Sequence, residues 1–233
     1  MLNRTRFFAE TLVAASLALG SSIACAIDIT ATVPTWSNVQ GGSNILLNST
    51  NGNFIDVRWG DSTGYGQSGL GFDPSNPPTT SVAPNTSFFL GGLRHYNNPI
   101  YNAASAVDLS LLTSITGATP SQQSFAFRLL IDETPNATPC VYPSTTPCAD
   151  RITFQNLDLT SSFVLGGQAY TLELLGFSSD GGTILNYFDS QEGGTNNVGL
   201  WGRITAARVP EPGTLALLGL GLFGLGLTRR KAH

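Results

Sequence analysis

Phe125-Ala126-Phe127-Arg128-Leu129-Leu130-Ile131-Asp132 sets Phe125, Phe127, Leu129 and Ile131 on one side, away from Arg128 and Asp132. Successive side chains point to opposite faces of a strand, so this period of two reads as a half-buried β-strand. The period recurs in both directions along the chain. Upstream, Ile27, Ile29, Ala31 and Val33 alternate with Asp28, Thr30 and Thr32, and Ile55, Val57 and Trp59 stand opposite Phe54, Asp56 and Arg58. Ser87 to His95 is aromatic and glycine-containing, and Val107, Leu109 and Leu111 step past Asp108 and Ser110. Downstream come Ile152 and Phe154, then Tyr170, Leu172 and Leu174 with Glu173 outward, then Leu200 to Ala207. Clusters of Gly, Asn, Pro, Ser and Thr separate these runs; Asp73 to Pro84 reads as a loop, and Asp180-Gly181-Gly182 as a hairpin turn between Phe177 and Ile184. The expectation is an all-β domain of antiparallel strands, closed as a β-sandwich of jelly-roll type.

Two unlike segments flank that domain. In residues 1–26, Arg4 and Arg6 precede an apolar run from Thr11 to Gly20, and Ala24-Cys25-Ala26 forms a small-x-small cleavage site. This is the layout of a secretory signal peptide, cut after Ala26. Lipoprotein processing at Cys25 is the alternative, but that signal wants a Leu-like residue three positions earlier, where Ser22 stands.

At the other end, residues 209–233 begin with Val209-Pro210-Glu211-Pro212-Gly213, continue as an apolar segment over 214–228, and finish with a basic tail holding Arg229, Arg230 and Lys231. As a helix, Leu215 to Leu227 would span roughly 20 Å, short for a hydrocarbon core of roughly 30 Å. The prolines block its extension upstream, and the basic cluster favours the cytoplasmic side, leaving everything before it outside. A transient anchor follows, rather than a buried core helix.

The segment between, residues 27–208, is long enough for one domain with its own core. It carries six arginines, no lysine and thirteen acids, a formal charge of −7. Such a surface repels nucleic-acid phosphates, so nucleic-acid binding is excluded. Once Cys25 leaves with the signal, Cys140 and Cys148 remain as a pair in an oxidising compartment and are expected to form a disulfide. A ring of that size contributes about 2.5 kcal/mol by loop entropy.

Catalytic motifs are weak. His95 is the single histidine of residues 27–208, so neither a His-built metal site nor a Cys–His dyad is available there. Gly66-Gln67-Ser68-Gly69-Leu70 misses the nucleophile elbow at its last position and reads as a flexible turn. Asp56, Asp61, Asp73, Asp132, Glu133, Asp150, Glu173 and Asp189 could supply a glycosidase pair only if two converge across a cleft. Calcium suits extracellular carboxylates better, and Asp132-Glu133-Thr134-Pro135-Asn136 is the oxygen-rich candidate, with Asp132, Glu133 and Asn136 as ligands though without EF-hand spacing. No other cofactor is expected. Trp36, Trp59, Trp201, Tyr65, Tyr96 and Tyr101 could stack on sugars if exposed, whereas Trp59 falls on the apolar phase of its strand. Arg94, Arg128 and Arg151 are expected to pair with acids.

The Val209-Pro210-Glu211-Pro212 turn, apolar run and basic tail together resemble the PEP-CTERM signal of bacterial exported proteins. That resemblance implies an exosortase-like membrane transpeptidase as partner, cutting near Pro210-Glu211-Pro212. A second resemblance covers most of the domain. Trp36, Val57-Arg58-Trp59-Gly60, Ser68-Gly69-Leu70, Arg94-His95-Tyr96-Asn97-Asn98-Pro99-Ile100, Asp132-Glu133-Thr134-Pro135-Asn136, Cys140 and Cys148-Ala149-Asp150 occur in that order. The set is similar to the THxN family of PEP-CTERM proteins; His95 and Asn97 match its motif, and Arg94 stands where the family has Thr. The family implies an exported β-rich protein without an assigned catalytic residue. The expected function is therefore a non-enzymatic surface or extracellular-matrix protein, associated with exopolysaccharide or biofilm. It would cross the inner membrane of a Gram-negative-type cell, be anchored there briefly and then released. The competing expectation is a secreted polysaccharide-binding module or a glycoside hydrolase.

Overall fold

The computed structural model describes residues 26–74, 79–145, 147–155 and 160–207, with the single residues Gly219 and Gly221. The expected signal peptide, apart from Ala26, and the Pro-Glu-Pro turn, apolar segment and basic tail, apart from those two glycines, lie outside the described residues. Among the described residues no helix is long and apolar enough to cross a membrane.

The described chain is all-β. In order it forms β1 (Ile27–Gly41), β2 (Leu46–Asn51), β3 (Phe54–Trp59), β4 (Asp61–Ser62), β5 (Ser68–Asp73), β6 (Thr79–Val82), β7 (Ser87–Asn97) and β8 (Ile100–Tyr101). There follow β9 (Ala104–Ile115), β10 (Gln122–Asp132), β11 (Asp150–Phe154), β12 (Thr160–Leu165), β13 (Gln168–Ser178), β14 (Tyr187–Ser190) and β15 (Gly194–Ala206). One sheet has the order β14-β11-β10-β9-β1-β6, the other β12-β13-β15-β7-β5-β3-β2, and β4 pairs with β8 as a short ribbon. The pairings are antiparallel.

Both sheets feed one core. Trp36, Leu109, Leu111, Phe127 and Ile152 come from the first; Val57, Trp59, Leu70, Leu93 and Leu172 come from the second. The alternation in β10 holds as read, with Phe125, Phe127, Leu129 and Ile131 all buried. Each such side chain contributes about 1.5–3 kcal/mol by leaving water.

In β1 the expected phase fails halfway. Its register against β9 shifts between Thr30 and Thr32. One extra residue reverses which face each later side chain meets. Ile27 and Ile29 are buried before the shift; after it Val33 is 54% exposed while Trp36 is buried, donating from its ring nitrogen to the Ile55 carbonyl at 2.7 Å. The inward place read for Val33 is corrected accordingly.

Three further readings change. Part of the expected Asp73–Pro84 loop is strand β6. Ser68, expected in a flexible turn, opens β5 and is buried, its hydroxyl donating to the Asn98 carbonyl at 2.8 Å. The turn at Asp180-Gly181-Gly182 exists, with Asp180 accepting from Gly182 N–H at 2.9 Å, but it closes only the bridge Phe177↔Leu185. The chain then leaves the second sheet for β14 in the first.

Candidate functional site

The loop joining β10 to β11 carries the chemistry. Cys140 and Cys148 are disulfide-bonded within it, their Cα atoms 5.3 Å apart. Thr134 ties its base: its N–H donates to Asp150 Oδ1 at 2.7 Å and its hydroxyl to the Ala149 carbonyl at 3.0 Å. Strand alternation then sorts the charges at the loop ends. Asp132 and Arg151 are paired in register and face outward. Tyr142 donates its hydroxyl to Asp132. Arg151 is held by both Asp189 oxygens at 2.6 and 2.8 Å, and its guanidinium lies 3.9 Å from the Tyr142 and Tyr187 ring centres.

Asp150, one residue earlier, turns the other way and is fully buried. There it meets Glu133, from the start of the same loop, and Glu192, from the turn between β14 and β15. One oxygen from each of the three carboxylates lies within 4.8 Å of the other two. Burial first, then the charges of Asp150 and Glu192, hold the Glu133 carboxyl well above the usual carboxylate range. Burial also raises Asp150, against the lowering effect of the Thr134 N–H, and Glu192 raises it further. Burial raises Glu192 as well.

The surroundings of these acids supply few donors. Glu133 Oε2, Asp150 Oδ2 and both Glu192 oxygens are buried and accept no hydrogen bond among the described residues. The Asn136 amide and the Gly193 N–H lean toward Glu192 and lower its pKa, but neither closes a hydrogen bond of normal geometry. The Asn97 amide stands beside Asp150 in the same way. Its nitrogen donates to the Ser190 carbonyl at 2.8 Å, leaving a buried Oδ1 without a donor. Ser190 is the register partner of Asp150, and its hydroxyl oxygen is buried and unpaired among the described residues.

Of the expected calcium ligands, the structure thus brings Glu133 into a cluster, sets Asn136 beside it through Glu192, and leaves Asp132 on the outer face. Glu192 was not a sequence candidate, and no local signal could have found it. Asp150 was a candidate only as one carboxylate among many. For glycoside chemistry the cluster is unsuited, because Asp150 is fully buried and cannot flank a sugar bond.

Other carboxylates among the described residues are engaged elsewhere. Asp108 binds Arg128 at 2.7 Å, Glu173 binds Arg203 at 2.8 Å, and buried Asp56 binds Arg58 at 3.0 Å. Asp61 accepts from Ser43 at 2.8 Å and from Asn102 at 2.6 Å, which hold its carboxyl below the usual range. Arg128 and Arg151 pair with acids as expected. Arg94 pairs with none among the described residues: it lies 3.6 Å over the Phe54 ring and donates to Asn197 at 3.1 Å.

Residues 208–231, behind this domain, match the PEP-CTERM protein-sorting motif.

That motif implies export with membrane-associated sorting, and processing of the chain as an exosortase substrate. No curated protein matches the chain. Val209, Pro210, Glu211 and Pro212 of the sorting segment lie within the match, as do Arg229, Arg230 and Lys231.

Ahead of the sorting segment, His95 and Asn97 sit two apart on β7 and both face inward, fully buried. His95 stacks on Trp59 at 6.5 Å between ring centres. Burial, and then the charge of Arg58, push its pKa down to about 3, so it is neutral at physiological pH. Neither ring nitrogen has a hydrogen-bond partner among the described residues. Of the aromatic candidates, Trp36, Trp59 and Tyr96 are buried, Trp201 packs edge-on against Phe89, and Tyr65 and Tyr101 are exposed.

Proposed function

We propose that this protein is a non-enzymatic component of the cell surface or extracellular matrix, delivered by its sorting segment. The matched motif at residues 208–231 carries this reading. In it, residues 1–26 direct export, the apolar segment 214–228 holds the chain briefly in the inner membrane of a Gram-negative-type cell, and an exosortase-like transpeptidase cuts near Pro210-Glu211-Pro212. The released domain then associates with exopolysaccharide or biofilm. Its lysine-free acidic composition and tied loop suit an extracellular life. We read its two sheets as a sandwich, because the chain passes repeatedly from one to the other while both line one core; jelly-roll connectivity is the finer part of that reading. Membership of the THxN family is part of the same proposal, with His95 and Asn97 serving the interior of the domain.

The test is intact mass and location of the protein in its own host, with and without Val209–Pro212. A product ending near Val209 outside the inner membrane, seen only when that turn is intact, is expected. Full-length chain retained in the inner membrane in both cases would overturn the proposal.

A second reading, a polysaccharide-binding module, is favoured by one observation. A groove of about 500 Å³ is lined by Tyr187, Asp180, Asp189 and Asn197, an aromatic face with polar groups around it. Glycan binding lost on substituting Tyr187 would favour that reading.

A further inference from the structure

We propose that Glu133, Asp150 and Glu192, with Ser190, form a calcium site that locks the disulfide-tied loop to the turn between β14 and β15. The carboxylate cluster is the first observation: two acids from separate connections and a third from the start of β11 place oxygens within 4.8 Å of one another. Clusters of acids occur without any ion, so the neutral groups around this one decide its reading. Asn97, fully buried on a third element, β7, donates its amide nitrogen to the Ser190 carbonyl at 2.8 Å and so fixes that residue beside the acids. Ser190 offers a neutral oxygen, fully buried and unpaired among the described residues, directly across the ladder from Asp150. Directly opposed residues of an antiparallel pair project to the same face, so its hydroxyl and the Asp150 carboxylate share one side of the sheet.

The chemistry of this set selects the ion. Every group offers oxygen, and the carboxylates together carry up to three negative charges, as a hard cation requires. Zinc and the later transition metals take nitrogen and sulfur ligands, which this set does not supply. Magnesium holds its waters and is bound by one or two carboxylates, whereas calcium accepts six to eight oxygens, amide oxygens among them, in flexible geometry. Among the described residues the domain provides no cation here. Arg151, next to Asp150 in the chain, projects to the opposite face and is held by Asp189.

The site would join parts of the chain that only folding brings together. Glu133 and Asp150 bracket the loop closed by Cys140 and Cys148, and Glu192 belongs to the neighbouring turn. Bound calcium would hold the two connections to each other and to the β11–β14 ladder, so the loop is ordered where calcium is at extracellular levels.

The experiment is a calorimetric titration of the full chain, purified in mild detergent with its disulfide intact and stripped with EGTA, using calcium chloride and separately magnesium chloride. One calcium per chain is expected, with Kd of about 10⁻⁵ to 10⁻³ M and magnesium at least ~10-fold weaker. Glu192→Gln is expected to weaken calcium at least ~10-fold, and Asp132→Asn, in the same loop but on the outer face, to leave it within about twofold. Circular dichroism checks that each variant is folded; should Glu192→Gln fail to fold, Glu133→Gln takes its place, with the same loss expected. No uptake by wild type at millimolar calcium would overturn the proposal. So would magnesium binding of equal strength, or an Asp132→Asn loss as large as that of Glu192→Gln.

Discussion

Arg128, Arg151 and Arg203 each hold a carboxylate lying directly across the ladder, on Asp108, Asp189 and Glu173. At the base of the disulfide loop, Glu133, Asp150 and Glu192 hold no arginine among the described residues and crowd one another. The acids are of the same kind, and strand parity separates their fates. On the outer faces, register sets a guanidinium opposite each acid. Asp150 sits one step out of that phase and Glu133 and Glu192 lie in connections, so their oxygens point where no arginine of the sheets reaches. Asp56 lies between the extremes: it is as buried as Asp150, yet it has Arg58 beside it and receives the Tyr96 hydroxyl at 3.3 Å. Gly71, its ladder partner, makes room for it, since a Cβ there would come within 2.3 Å of Asp56 Oδ1.

The sharpest way to break this comparison is to neutralise one acid of each kind. Asp56→Ala leaves Arg58 half-buried, 3.2 Å over the Tyr96 ring centre, without its counter-charge. Urea unfolding should show a loss of about 3–5 kcal/mol, as for other buried pairs cut on one side; a loss below 1 kcal/mol would place Asp56 with the surface pairs.

Glu192→Gln should act with the opposite sign. In EGTA the substitution removes one of three mutually repelling carboxylates, and the urea midpoint should rise. A fall in the midpoint would mean that Glu192 has a cationic or donor partner in the folded protein, and the contrast between the two regions would collapse.

The smallest effect belongs to the surface pairs, and it is pH-dependent. Donation from Arg128, with help from Asn38, holds the Asp108 carboxyl below its ordinary range in the folded chain. A depressed carboxylate contributes stability above its unfolded pKa and loses it as pH falls through the folded value. Asp108→Asn should therefore cost about 0.5–1 kcal/mol at pH 7. The difference from wild type should shrink as acidification takes the carboxyl through its lowered folded value and vanish below it. Parallel stability curves across that range would remove Asp108 from the account.

The sequence by itself determined the all-β class, the central strands, the disulfide and the sorting segment. In β3, β7, β9, β10, β11, β13 and β15 one face must be apolar to reach the core, and that requirement writes a period of two into the chain. A disulfide pair and a sorting motif are likewise read from neighbouring residues. The strands that escaped reading include β2, β6, β12 and β14, the four sheet edges. An edge bonds on one side only and tolerates polar, weakly patterned residues such as those of Thr79–Val82 or Leu46–Asn51. Val33 lost its expected inward place and Trp36 gained one because a single register shift reverses everything after it, and local alternation carries no mark of where a shift falls. The carboxylate cluster was beyond sequence for a further reason. Asn97, Glu133, Asp150 and Glu192 come from separate parts of the chain, and only the pairing of β11 with β14, and of β7 with β15, brings them to one place. The tertiary structure alone decided which acids would be neutralised by arginine and which would be left facing one another.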